Sequence, residues 1–314
     1  MDLKAVTRRV LTIVATATVA TYSLCAMADD KIVIGFSQST LNHPWRIAQT
    51  EGNKKYAASH YPDVKLIVTD GQNNATRQTA DVESLMAQGV KVLMISPLTQ
   101  QALTPVVKQA MDHGIKVVTL DRRVNTPVTV HVGPEDLPIG RQAGELIAKK
   151  LNGQGAIIEI GGTAGASVSI DRDKGFREAI AKYPGLRIVA FQNCDFLREQ
   201  SMKFMEDQIQ RFKPGEIKAV YAHDDEMALG AIQALEAAGR LNGIIVVGIN
   251  GANNAIQSVA EGKLTATFIY PFVAPEGIQT AYKVARGEPV PKDIKLQSTL
   301  ITKDNAAQYI GKGF

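Results

Sequence analysis

The chain has 314 residues, 45% of them apolar, with 35 basic and 31 acidic side chains and a formal net charge of +4. That length suits two domains of ordinary size. Charge is dispersed, with no basic block and no long acidic run, so neither nucleic acid nor a membrane surface is indicated as a partner.

The first residues read as an export signal. Lys4, Arg8 and Arg9 precede an apolar stretch over residues 10–24, and Ala26-Met27-Ala28 places small side chains at the two positions a signal peptidase reads. The expectation is a signal peptide over residues 1–28, cleaved after Ala28. An N-terminal anchor helix is the competing reading. Arg8-Arg9 hints at twin-arginine export, although Thr12 weakens the apolar run that should follow. Tyr22-Ser23-Leu24 makes a poor lipobox before Cys25. Removing the leader lowers the charge to about +2. Cys194 is then alone, so no internal disulfide can form and the fold must stand on its apolar core.

Beyond the leader, β-rich runs alternate with amphipathic stretches. Strands are expected over residues 31–36, 64–69, 90–95, 115–120, 156–160, 186–191, 217–222 and 243–249. Several are apolar nearly throughout, as strands covered on both faces should be. Val82, Leu85 and Met86 share a helical face, as do Val106, Ala110 and Met111. Gly89, Gly114 and Gly239 fall where helices should stop, and Asp224 and Asp225 read as an N-terminal cap. The pattern predicts an α/β fold with parallel sheets covered by helices. A closed barrel is the alternative. Residues 128–134, extended with no helix before them, favour instead a chain crossing between two open-sheet lobes.

In open parallel sheets, ligands bind beyond the carboxyl ends of the strands. Sampling those positions gives Ser37-Gln38, Asp70-Gly71-Gln72, Ser96-Pro97, Asp121-Arg122-Arg123, Gly161-Gly162-Thr163, residues 193–196, His223-Asp224-Asp225 and Asn250-Gly251. Carboxylates, amides and arginines of this kind make paired hydrogen bonds to neighbouring hydroxyls. Trp45, Phe196 and Tyr270 offer flat faces to the C–H side of a sugar ring. Enzymatic readings are thin. The five histidines, at positions 43, 60, 113, 131 and 223, show no metal-ligand spacing, and neither a G-x-S-x-G elbow nor a Walker loop is present. Gly161, Gly162 and Gly165 read as a tight turn before a phosphate cradle. No catalytic residue, cofactor or metal is expected.

Several segments in order carry a resemblance: Gly35-Phe36-Ser37-Gln38, Asn42-His43-Pro44-Trp45-Arg46, Asp70-Gly71-Gln72, Leu120-Asp121-Arg122, Gly165-Ala166-Ser167, residues 171–176 and residues 221–229. The chain resembles the ribose-type (cluster B) periplasmic binding proteins over essentially all of its length past the leader, and looks closest to the galactofuranose-binding branch. The resemblance implies two doubly wound parallel-sheet lobes, the type I periplasmic binding protein fold, joined by a three-strand hinge. Residues 29–134 with 271–293 would form the N-terminal lobe, and residues 135–270 with 294–314 the C-terminal lobe. It further implies a monomeric, non-catalytic carbohydrate binder in the periplasm, serving an ABC-transporter permease in the inner membrane. A sugar-acid binder, a sensor component feeding a chemoreceptor or kinase, and a secreted sugar-processing enzyme are the alternatives.

By position, the resemblance assigns ligand contacts to Asn42, Trp45, Arg46, Asp121 and Arg122 in the first lobe. Arg172 and Phe196 come from the second, with Asp224, Asn250 and Tyr270 near the hinges. Plainer roles compete for some of them: solvated helix charges for Arg46 and Arg172, a helix cap for Asp224, lobe packing for Trp45. Ribose-type proteins usually carry Asn where this chain has Asp224, Asp where it has Asn250, and Gln where it has Tyr270. A carboxylate only accepts hydrogen bonds while an amide also donates, so these exchanges predict a ligand other than ribose.

Overall fold

Residues 31–314 are described by the computed structural model and form one compact unit; the expected signal peptide lies outside them. The chain first builds β1 (Ile32–Gln38), α1 (Pro44–His60), β2 (Val64–Asp70), α2 (Ala75–Ala87), β3 (Val92–Ser96), α3 (Gln100–Asp112), β4 (Lys116–Leu120) and β5 (Val130–Pro134). β3 and β5 are buried along their whole length because helices cover both faces of their sheet. Left-handed Gly89 and Gly114 end α2 and α3, as the sequence predicts.

The chain then crosses into a second layer: α4 (Asp136–Lys150), β6 (Gln154–Gly161), α5 (Ser167–Ile180), β7 (Gly185–Asn193), α6 (Arg198–Arg211), β8 (Ile217–Ala222), α7 (Asp225–Ala237), β9 (Ile245–Val247), α8 (Asn253–Glu261) and β10 (Ala266–Ile269). It returns for α9 (Glu276–Ala285) and β11 (Asp293–Leu296), and crosses once more to β12 (Thr299–Thr302).

Two open six-stranded sheets result, ordered β11-β5-β4-β3-β1-β2 and β12-β10-β9-β8-β6-β7. Pairing is parallel throughout except for β10 with β12. The closed barrel is thereby excluded, and the α/β two-sheet architecture is established. The chain passes between the sheets three times: after β5, after β10, and between Leu296 and Thr299.

One packing detail bears on the site. α4 and α5 meet through Gly140 and Gly175, where an added Cβ would strike the backbone oxygens of Arg172 and Leu137 respectively. Only glycine permits this approach. It brings Asp136, at the start of α4, within bonding distance of Arg172 on α5.

Candidate ligand site

The carboxyl ends of both sheets face one cleft, and the space there measures about 450 Å³ with the solvent at its mouth included. Asn42, Trp45, Arg46, Asp121, Arg122, Arg172, Phe196, Asn250 and Tyr270 all line it.

Asp224 does not. It is fully buried one layer back, with Oδ1 accepting from the Met227 amide at 2.8 Å and Oδ2 lying 2.7 Å from His43 Nε2. Both oxygens have partners within the protein, and the ligand contact expected at Asp224 is not among the side chains that the cleft brings together. The plainer reading, a helix cap, describes one of its two bonds.

On the first lobe, Pro44 opens α1 and sets Trp45 and Arg46 in its first turn, facing inward. Arg46 grips Asp121 with two parallel bonds, Nη1 to Oδ1 at 2.8 Å and Nη2 to Oδ2 at 2.7 Å. Ser96 Oγ donates to the same carboxylate at 2.7 Å, and Gln49 Nε2 at 3.2 Å. Burial acts to raise the Asp121 pKa, but the Arg46 charge and bonds, with Arg122 and Ser96, hold it below the ordinary carboxylate value. Arg46 is therefore not a solvated helix charge.

Arg122 is held differently. Its Nη1 donates to the Leu98 carbonyl at 3.1 Å and its guanidinium lies 5.3 Å from the Phe196 ring centre. Nε is buried without a hydrogen-bond partner among the described residues. Burial and the adjacent Arg46 charge push its pKa down to about 9. It remains charged at neutral pH and short of an acceptor.

The second lobe supplies Arg172, whose Nε donates to Asp136 Oδ1 at 2.7 Å and whose Nη1 donates to the His223 carbonyl. Burial disfavours the guanidinium charge, but Asp136 outweighs it and holds the Arg172 pKa above its ordinary value. Tyr270 Oη donates to Asp136 Oδ2 at 3.1 Å, and Arg172 sits 4.6 Å over the Tyr270 ring. Trp45 Nε1 donates to the Tyr270 carbonyl at 3.0 Å, tying the first lobe to the second crossing.

Backbone strain gathers at this cavity. Among the described non-glycine residues with positive φ, Asn73 (56°), Asp121 (51°), Asp195 (50°), Phe196 (61°) and Asn250 (130°) all line it. Such conformations are uncommon for side chains like Phe and persist where the surroundings over-determine them. Phe196 swings inward against Gly162, where an added Cβ would come within 2.0–2.6 Å of the tip of its ring. Gly162 is thus the seat of an aromatic wall as well as part of a turn.

Sequence reasoning missed Asp136, His43, Asn73, Thr163 and Asp195. Thr163 and Asp195 sit within the sampled strand-end segments, and Asn73 one residue beyond one of them. Asp136 follows β5, whose end was not sampled because residues 128–134 were read only as a crossing. No group of side chains suited to a metal ion occurs among the described residues.

A two-sheet molecule with a polar and aromatic cleft at the carboxyl ends of both sheets has the form of a solute receptor, and comparison with known proteins agrees. Residues 34–289 match the model of the periplasmic binding protein domain family. The chain belongs to that family. It is 36% identical to the ribose import binding protein RbsB of Escherichia coli K12, over 88% of this chain and 93% of that one. The galactofuranose-binding protein YtfQ of the same organism is 33% identical, over 90% and 91%. A solved solute-binding protein from Bacillus halodurans C-125, with bound myo-inositol, superposes at a TM-score of 0.85 with 33% identity, covering 91% and 99%. These relatives are binding proteins by name, one of them for ribose import, and the chain is a binding protein rather than an enzyme.

Proposed function

We propose that this protein is the periplasmic receptor of a carbohydrate ABC importer, taking one neutral monosaccharide or cyclic polyol into the cleft and delivering it to the inner-membrane permease. A galactofuranose-like ring is favoured over ribose. The observation that carries the reading is the internal pairing of the arginines. Arg46 is paired with Asp121 and Arg172 with Asp136, so two of the three lining arginines are answered within the protein and the cavity is rich in aimed donors and acceptors. Asp195 also lines the cavity. A sugar acid would have to engage Arg122, the lining cation with an open Nε, at the expense of its ion pair with Asp121, and D-galacturonate in the series below tests for that.

In this reading Asp121, Arg122, Arg46 and Asn42 address hydroxyls from the first lobe, and Arg172 and Asn250 from the second. Trp45, Phe196 and Tyr270 cover the ring. Residues 29–134 with 271–293 move as one lobe and residues 135–270 with 294–314 as the other. The ligand bridges them on closure, shutting out competing water.

The test is a thermal-shift series with D-ribose, D-galactose, L-arabinose, myo-inositol, xylitol and D-galacturonate, joined to mass spectrometry of any co-purifying ligand. A shift of several degrees with a neutral sugar or polyol supports the proposal. A shift with D-galacturonate alone, or with none of the six, counts against it.

A further inference from the structure

His43 and Asp224 are 181 residues apart in sequence and come from facing lobes, yet Nε2 and Oδ2 lie 2.7 Å apart and both residues are buried. Each uses its other side-chain atom at home. His43 is the N-cap of α1, its Nδ1 accepting from the Trp45 amide at 3.2 Å. Asp224 is the N-cap of α7 through Oδ1. Because Nδ1 accepts, the ring proton sits on Nε2 and points across the cleft at Oδ2. The His43 ring also stands edge-on to Phe196, with centres 6.4 Å apart. On the facing edges, the Gln100 amide donates to the Gly165 carbonyl at 2.9 Å and the Arg123 amide to Ser167 Oγ at 2.9 Å. Those are neutral bonds; His43–Asp224 engages a carboxylate.

We propose that His43 is a specificity-determining and closure residue, latching the lobes through Asp224 and withdrawing that carboxylate from the ligand. The inference rests on the receptor reading above. A ligand then meets Arg172 and Asn250 on the second lobe and finds no acceptor at Asp224. Closure gains a buried, charge-assisted bond that does not depend on which sugar is bound.

Two substitutions separate the latch from helix capping. His43→Asn keeps an oxygen able to accept from the Trp45 amide but is too short to cross the cleft. Asp224→Asn keeps the cap of α7 but turns an amide donor toward the Nε2 proton. Stopped-flow fluorescence from Trp45, the sole tryptophan, reads binding of D-galactose, D-ribose or myo-inositol. Each variant should release the probe about ten- to a hundredfold faster, with the association rate little changed. The two effects should not add in the double variant. In the absence of ligand, small-angle scattering should show H43N more open than the wild type. Unchanged release together with unchanged scattering overturns the latch, as do additive effects. A wild-type protein that binds none of these three, nor L-arabinose or xylitol, tells against the receptor reading instead, and scattering alone then decides the latch.

Discussion

Arg46 and Asp121 are joined in the cleft by two bonds of 2.8 and 2.7 Å, and Arg122 Nε lies 4.0 Å from Oδ2 of the same carboxylate. One anion thus holds two buried cations. Asp121→Ala leaves both without their counter-charge, and breaking a buried pair from one side costs about 3–5 kcal/mol. Denaturant melts should show that loss, and no sugar should raise the melting temperature of the variant. A variant still stabilised by ligand as strongly as the wild type would remove Asp121 from the site.

Gly162 and Phe196 form the aromatic wall together. Gly162→Ala places a methyl group within 2.0–2.6 Å of the tip of the Phe196 ring, so the ring must shift. Titration calorimetry should show affinity down by about tenfold, the worth of one well-placed aromatic contact. Phe196→Ala should give a similar loss. Wild-type affinity in G162A would mean that the ring plays no part in binding.

Glu159 sets the alkaline limit of stability. It is buried on β6, 3.1 Å from His223 Nε2, and burial together with the Asp173 charge pushes its pKa up to about 9 despite Arg177. The native state therefore keeps a proton that the unfolded chain gives up near the ordinary carboxylate value. Stability falls as pH rises through that window. Burial holds His131 down at about 4, and His223 well below its ordinary value. Those rings act in the opposite sense, but only below about pH 6.5. From pH 7 to 9 the melting temperature should decline, and Glu159→Gln should flatten the decline. An equal slope in the variant would assign the effect elsewhere.

Cys194 is fully buried, and burial with the Asp195 charge lifts its thiol to about 12. The native protein should not react with a thiol reagent at pH 8. In denaturant, the mature form should titrate one thiol. A second would show that Cys25, and with it the leader, is retained.

Most strands were legible as short apolar runs, but β10, buried at three of its four positions, was not read. Residues 217–222 were predicted to the residue as β8, because a run buried on both sides is written in apolar residues. β11, with alternating exposed and half-buried positions at a sheet edge, carries too little apolar signal to be read. The lining was legible because strand ends are addressable in sequence, as Asp121 and Asn250 demonstrate. The bond from Asp224 to His43 was not, since it depends on how two separately written lobes face each other. The left-handed backbone at Phe196 was equally silent, because nothing in a phenylalanine announces positive φ.

β11 pairs with β5 in the register Asp293 to His131, so the edge of the first sheet is completed by residues near the end of the chain. β12 likewise completes the second sheet by pairing with β10. A chain emerging in order from its N-terminus has neither sheet finished until almost all of it is out. Truncation before residue 293 would leave two raw sheet edges rather than one intact lobe. The two halves mature together and late, and such long-range pairing slows folding.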